Sequence, residues 1–328
     1  MAADALSDVL KTVRLTGAVF FDVVARAPWV AEQPSPRAIL PKILPGAEHL
    51  ISYHVVTEGR CFAGLVGEEP IAVEASEVIV FTRGDPHVMS SGAGMRAEPN
   101  PESMYAAGAA QQPFFANIGE SGPIAVKLVC GFLACDARPF NPLLDNLPSI
   151  IKVAAGEGTD TRWLSQFIHI ATTETADRRA GGESVLARLS ELMFIEVVRR
   201  HLESLPPEQV GWLAGLRDPF VGKALSLLHA KPADNWTIED LAREIGLSRS
   251  VLAERFTDLV GIPPMQYLAN WRMQIASGML SGGNANIASV AAEIGYGSEA
   301  AFSRAFKRMV GESPSAHRRR SSGVPAAR

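Results

Sequence analysis

IASVAAEIGYGSEAAFSRAFKRMVGESPSAHR, residues 287–318, is the stretch that decides how the chain is read. Ile287, Val290, Ala291 and Ile294 fall at helical spacing and form one apolar face. Gly295-Tyr296-Gly297 then supplies a tight turn, because glycine enters the left-handed backbone region without steric cost. A second helix is predicted from Ser298, with Phe302, Phe306 and Val310 facing inward. Its outer face is Ser298, Glu299, Ala300, Ser303, Arg304, Lys307 and Arg308. Two short helices across a glycine turn, the second cationic on its outer side, have the logic of a helix-turn-helix that presents side chains to a DNA major groove.

The same unit occurs twice. Ile238, Ala242, Glu244, Ile245 and Gly246 recur 49 residues later, and Phe256, Val260, Gly261 and Pro264 recur 50 residues later. In the first copy Thr237 with Asp240 marks a helix start, Gly246 the turn and Ser248 the start of the second helix. Leu252 and Phe256 face inward there, which leaves Arg249, Ser250, Ala253 and Glu254 outside. From Phe220 to the end, thirteen Lys and Arg stand against nine Asp and Glu, so a region of +4 sits in a chain of net charge −4. The basic end fits a polyanionic partner.

The helix and turn I-x-x-V-A-x-x-x-G-Y, the recognition segment F-S-R-x-F-K-R, and the following G-x-S-P with Arg318 resemble the signature of the AraC/XylS family of transcription regulators. That resemblance implies two helix-turn-helix units entering successive major-groove segments. Arg304 then corresponds to a base-contacting arginine with Ala300 and Ser303 beside it, and Lys307 and Arg308 to positions near phosphate. Glu254 departs from relatives that place Arg or Gln on the first recognition helix. A carboxylate can only accept hydrogen bonds and is repelled by phosphate, so reading by the first unit leans on Arg249 and Ser250.

Upstream, residues 16–25, 50–57, 61–66, 77–82 and 124–134 are rich in Val, Ile and Phe and bounded by turn residues, the pattern of short strands in a barrel or sandwich. Residues 90–112 lack periodicity and read as a long mobile loop. Residues 161–175 and 183–205 return to helical spacing, and their apolar face serves either the barrel or a dimer interface. Residues 205–218, with two prolines and two glycines, read as a linker. The 328 residues are 47% hydrophobic and 20% charged, which describes a folded chain with a sizeable core. No apolar run approaches a bilayer span, Asp4 and Asp8 stand where an export signal would be basic, and three cysteines make no disulfide framework. A cytoplasmic protein without a membrane partner is the expectation.

YHVVTEGRCF (53–62), EVIVFTRGDPHVM (77–89) and residues 128–153 resemble the cupin-like sensor domain of one branch of the AraC family. The expected fold is therefore α+β: a cupin-like β-barrel with dimerisation helices over 1–205, a linker over 206–219, an all-α domain with two helix-turn-helix units over 220–320, and a disordered tail over 321–328. His54, Glu58 and His87 resemble parts of the cupin metal motifs, with Ser52 and Thr82 where a further His and Pro would stand. On a strand, positions four apart share a face, so His54 and Glu58 could point inward together and form a metal or effector site with His87. The alternatives are a remnant of such a site or a hydrogen-bonded barrel histidine. Cys130 and Cys135 lie an odd number of residues apart, on opposite faces of a regular strand. They and Cys61 are either buried inert thiols or a redox switch.

These readings together describe a regulator without catalytic residues and requiring no cofactor. Its partners would be double-stranded promoter DNA, RNA polymerase, a small-molecule or redox effector and a second copy of the chain. The rival readings are a cupin metalloenzyme with an accessory DNA-binding domain and a thiol-based redox regulator.

Overall fold

In a computed structural model, which describes residues 4–44, 47–102, 114–136, 139–154, 162–177, 179–206, 208–282 and 285–321, the apolar segments of the first half assemble into one curled, nine-stranded sheet. Its strands are β1 (Thr16–Arg26), β2 (Val30–Glu32), β3 (His49–Leu65), β4 (Ile71–Glu74), β5 (Glu77–Phe81), β6 (His87–Ser90), β7 (Phe114–Ile118), β8 (Ile124–Cys135) and β9 (Ile150–Ala154). They run in the order β2-β6-β3-β8-β1-β7, with β4 also on β3 and β5 joining β3 to β9. Among the described residues only the β1–β7 pairing is parallel.

Strand β3 is the organising element. The two strands expected at 50–57 and 61–66 are one continuous strand, whose first half pairs with β5 and β8 and whose second half pairs with β4 and β6. It bends at a bulge, where the register against β8 shifts between Val56 and Glu58. Gly59 makes the bend possible: its φ is +77°, and a Cβ there would lie 2.0 Å from the Ala125 carbonyl oxygen. Before the bulge, alternation is regular. Leu50 and Val56 join the inner core with Phe21, Val23, Leu128, Cys130 and Phe132. Tyr53 faces the other way and hydrogen-bonds Ser190 of helix Gly182–Ser204 at 2.6 Å. That helix lays Leu186, Ser190, Met193, Phe194, Val197 and Val198 on the sheet.

The structure divides into two compact units, and the division differs from a cut at residue 205. The sheet unit comprises Leu15–Cys135 and Leu147–Ser204; the second comprises Met1–Arg14, Asp136–Asn146 and Leu205–Arg328. Helix Ala5–Thr12 belongs to this second unit. Asp4 caps it by accepting from the Leu6 and Ser7 amides, and it packs its buried Ala5, Leu6 and Val9 against helices Val221–Ala230 and Pro264–Ser281. Such short flanking segments lack the length to signal their packing partner from sequence.

The expected linker is likewise built into the second unit. Residues Trp212–Arg217 form a helix, Trp212 is fully buried, and its indole N–H donates to the Tyr267 hydroxyl at 2.8 Å. Prolines and glycines limit helix length but say nothing about burial of the residues between them. Of the loop expected over 90–112, residues 103–112 lie outside the described residues, as do residues 322–328 of the tail expected over 321–328; Ser321 ends helix Pro314–Ser321. No helix among the described residues is long and apolar enough to cross a membrane.

Candidate nucleic-acid interface and sensor cavity

Both helix-turn-helix units form as their sequence logic requires. In the first, Thr237 caps helix Ile238–Ile245, Gly246 ends it at φ +86°, and Ser248 caps helix Arg249–Val260 by accepting from the Val251 amide. In the second, Asn286 caps helix Ile287–Glu293, Gly295 turns at φ +83°, and Ser298 caps helix Glu299–Val310 by accepting from the Ala301 amide. Each such cap stabilises its helix by about 1 kcal/mol and fixes where the outward face begins. Phe302 and Phe306, both fully buried, anchor the second recognition helix in a cluster with Met273, Ala276, Leu280 and Val290.

That anchoring leaves Ser298, Ala300, Arg304, Lys307 and Arg308 exposed and Ser303 half-buried. Among the described residues, no ion pair engages Arg304, Lys307 or Arg308, so their charge is available to a polyanion. The first unit is electrostatically different. Arg249 and Ser250 are exposed and Ala253 half-buried, but Arg249 pairs with Glu239 at 3.0 Å, and exposed Glu254 adds a carboxylate. Its other two cations are also paired: Arg255 is held by Asp218 through both Nε and Nη2, and Arg243 meets Asp240 at 2.9 Å. The C-terminal basic run also divides, since Arg318 donates to the Ala285 carbonyl and Arg320 pairs with Glu312.

In the sheet unit, His54 and His87 come together and Glu58 does not join them. The two imidazole Nε2 atoms lie 2.8 Å apart, and the His87 ring stacks on Phe81 at 3.7 Å. The bulge after Val56 breaks the alternation that would have aimed Glu58 inward, and its carboxylate instead meets Lys127 at 2.9 Å on the surface. The proposed three-residue metal or effector set is corrected accordingly. Among the described residues no group of three His, Cys, Asp or Glu could hold a metal, and the two histidines are committed to each other. Ser52, in the position of a further histidine, accepts from Gln33 Nε2 at 2.8 Å.

Burial holds both rings neutral: His87 is lowered from the usual 6.5 to about 4, and His54 well below its ordinary value, with the neighbouring His87 adding to the effect. Each ring protonates more readily unfolded than folded. Stability is therefore complete above about pH 6.5 and is lost as pH falls towards 4. The unfolding midpoint should drop between pH 7 and pH 5, and His87→Asn should flatten that dependence; a midpoint insensitive to pH in this window would contradict the assignment.

The three cysteines are buried and none is disulfide-bonded. Burial pushes the Cys61 thiol up to about 12 and Cys130 well above the ordinary thiol range, the reverse of what a reactive thiolate needs. Cys61 and Cys130 belong to the inner core, whereas Cys135 closes β8 opposite His49.

The curled sheet encloses a cavity of about 380 Å³, lined by Phe21, Val23, Phe114, Leu128, Phe132 and Met89 among apolar residues, with His54 and Cys130 also on its wall. Trp29 and Gln33 line it too, and sequence reasoning missed both. They flank the three-residue strand β2, one on each side, and that strand is too short to show any period.

A duplicated helix-turn-helix with a cationic outer face in one unit and a curled sheet holding an apolar cavity in the other define a DNA-binding regulator carrying an N-terminal cupin-like domain. Comparisons agree: residues 4–203 match the family described as Cupin, and residues 241–320 match the Helix-turn-helix domain. A protein of Streptomyces lividans named as an AraC-like transcription regulator is 33% identical over 323 residues, covering 96% of this chain and 98% of that one. A Streptomyces antibioticus protein of the same name is 32% identical over 319 residues, with 96% and 98% coverage. The HTH-type transcriptional regulator AlkR of Acinetobacter baylyi is 36% identical over 187 residues, covering 57% of this chain and 61% of that one. The chain belongs to the AraC family of transcription regulators, and it is a DNA-binding protein and not an enzyme.

Proposed function

We propose that the sheet unit senses a small molecule in its cavity and thereby controls how a dimer of this chain engages promoter DNA and RNA polymerase in the cytoplasm. The observation that carries this reading is the cavity itself, of a size and apolar character usual for small-ligand sites. A ligand can shift DNA binding only by favouring one arrangement of the protein over another. Ala116 on β7 lines the cavity, and Ala116→Trp would fill it. Expression of a reporter under a bound promoter should then stop responding to growth conditions while DNA affinity persists; a response indistinguishable from the unmodified protein would refute the reading.

On this proposal Arg304, Ser303 and Ala300 read bases, Lys307, Arg308 and Ser298 approach the backbone, and Arg249, Ser250, Ala253 and Glu254 form the weaker first reader. Dimerisation falls to the outer face of helix Gly182–Ser204. Along this helix Met193 is fully buried against the sheet, while Leu192 is 62% and Val185 39% exposed. Leu192→Arg should therefore give a folded monomer, and Met193→Arg an unstable chain. Sedimentation of Leu192→Arg as an intact dimer at micromolar concentration would count against this interface.

A further inference from the structure

The two recognition helices share one frame. Each has 12 residues, starts at a capping serine and ends at a left-handed glycine, Gly261 at φ +84° and Gly311 at φ +91°. Each is anchored in the same phase by fully buried side chains, Leu252 and Phe256 in the first, Phe302 and Phe306 in the second. Glu254 therefore holds in its helix the place that Arg304 holds in the other, six residues past the capping serine and opposite the buried stripe. Both are exposed. One turn further on, exposed Asp258 stands where Arg308 does, and Thr257 where Lys307 does. No ion pair engages Glu254 or Asp258 among the described residues, whereas Arg249 and Arg255 are both paired. The first helix thus offers a groove acceptors where the second offers donors.

A second difference lies in the first turn. Val251 is 46% exposed, while its counterpart Ala301 is smaller and half-buried. Val251 and Glu254, three residues apart on one helix, are neighbours on its surface and border the same shallow hollow. An apolar group on this face has one apolar counterpart among the base edges of the major groove, the methyl of thymine.

We propose that Glu254 and Val251 make the first unit a reader of pyrimidines. The Glu254 carboxylate accepts from the N4 amino group of a cytosine, and the Val251 methyls pack on the 5-methyl group of an adjacent thymine. This inference rests on the role of weaker reader proposed above for the first unit. A carboxylate finds donors at two places in the major groove, cytosine N4 and adenine N6. Adenine sets the acceptor N7 beside its amino group, which repels the second carboxylate oxygen, whereas cytosine has a C–H there. Guanine and thymine present only acceptors to hydrogen-bond with, and a carboxylate rejects them. With its cations paired and Asp258 on the same face as Glu254, this helix adds selectivity and little attraction to phosphate.

The test selects binders from a library of randomised duplexes with the intact protein and with its Glu254→Gln, Glu254→Ala and Val251→Ala variants. The unmodified protein should recover two conserved blocks, one losing its preference in Arg304→Ala and the other holding a cytosine beside a thymine. Glu254→Gln should change that cytosine to adenine, because an amide accepts from N6 and donates to N7 together. Glu254→Ala should abolish the preference there, a loss of about tenfold in discrimination. Deoxyuridine in place of the thymine, lacking only the methyl, should weaken the unmodified protein about fourfold and make no difference to Val251→Ala. An unchanged cytosine in Glu254→Gln would overturn the carboxylate contact, and equal affinity for thymine and deoxyuridine sites would overturn the Val251 contact. A single conserved block, sensitive to Arg304→Ala alone, would remove the first unit from reading and leave the role of the second standing. A pool without any preferred sequence would remove both.

Discussion

Replacing Arg304 by alanine should lower affinity for a specific DNA site by roughly 5- to 150-fold, equivalent to the about 1–3 kcal/mol of a good base contact, and relax preference at one base pair. The side chain is exposed on a helix whose start is fixed by Ser298 and whose inner face is locked by Phe302 and Phe306. A guanidinium held at a defined position can pair bidentately with a guanine edge, and none of its donors is diverted to an intramolecular carboxylate among the described residues. Lys307→Ala should behave differently. It removes a point charge beside phosphate, so binding should weaken equally on all sequences and the salt dependence should become shallower by about one ion. Competition titrations with single base-pair variants of a bound site separate the two outcomes. An Arg304→Ala protein that loses affinity uniformly, with base preference unchanged, would remove this residue from the reading role.

Trp212→Ala should be the most destabilising single change in the DNA-binding unit, costing about 3–5 kcal/mol, as expected for truncating a buried large aromatic side chain. Trp212 fills the space against the Tyr267 hydroxyl, which in turn donates to His229 Nε2 at 2.7 Å. His229 is itself buried and its titration is lowered to about 3, so it enters this chain as a neutral acceptor. Removing the indole takes away both the packing and a donor from a buried network, and the effects reinforce each other. Thermal unfolding should show a clear loss in midpoint, with Trp212→Phe intermediate. An unchanged midpoint would mean that residues 206–219 behave as a free linker after all.

What could be read from sequence follows from how local each determinant is. The helix-turn-helix units announce themselves through caps, glycine turns and buried phenylalanines lying within about twenty residues of each other, and these were duplicated, so Thr237, Ser248 and Ser298 cap where expected. Strands β1, β3, β5 and β8 are legible as β-branched and aromatic runs, β5 despite its five residues, whereas β2, β4 and β6 have four residues or fewer and show no period. Glu58 illustrates a sharper failure. Its alternation was sound up to Val56, and one bulge reversed it, sending the carboxylate to Lys127. Trp212 owes its role to Tyr267, far away in the chain, and no local pattern encodes such a pairing. The histidine pair lies between these cases: His54 and His87 are recognisable as inward-facing candidates, but only the structure shows that their Nε2 atoms meet at 2.8 Å.

On the proposed function, the two helix-turn-helix units of this chain read one face of double-stranded DNA. Hydroxyl-radical footprinting of genomic fragments retained by the intact protein tests it most directly. Two protected patches on one face, separated by about one helical turn of 10–10.5 base pairs and fading as salt is raised, are the expected result. Recovery of no preferred sequence, or uniform protection indifferent to salt, would contradict it.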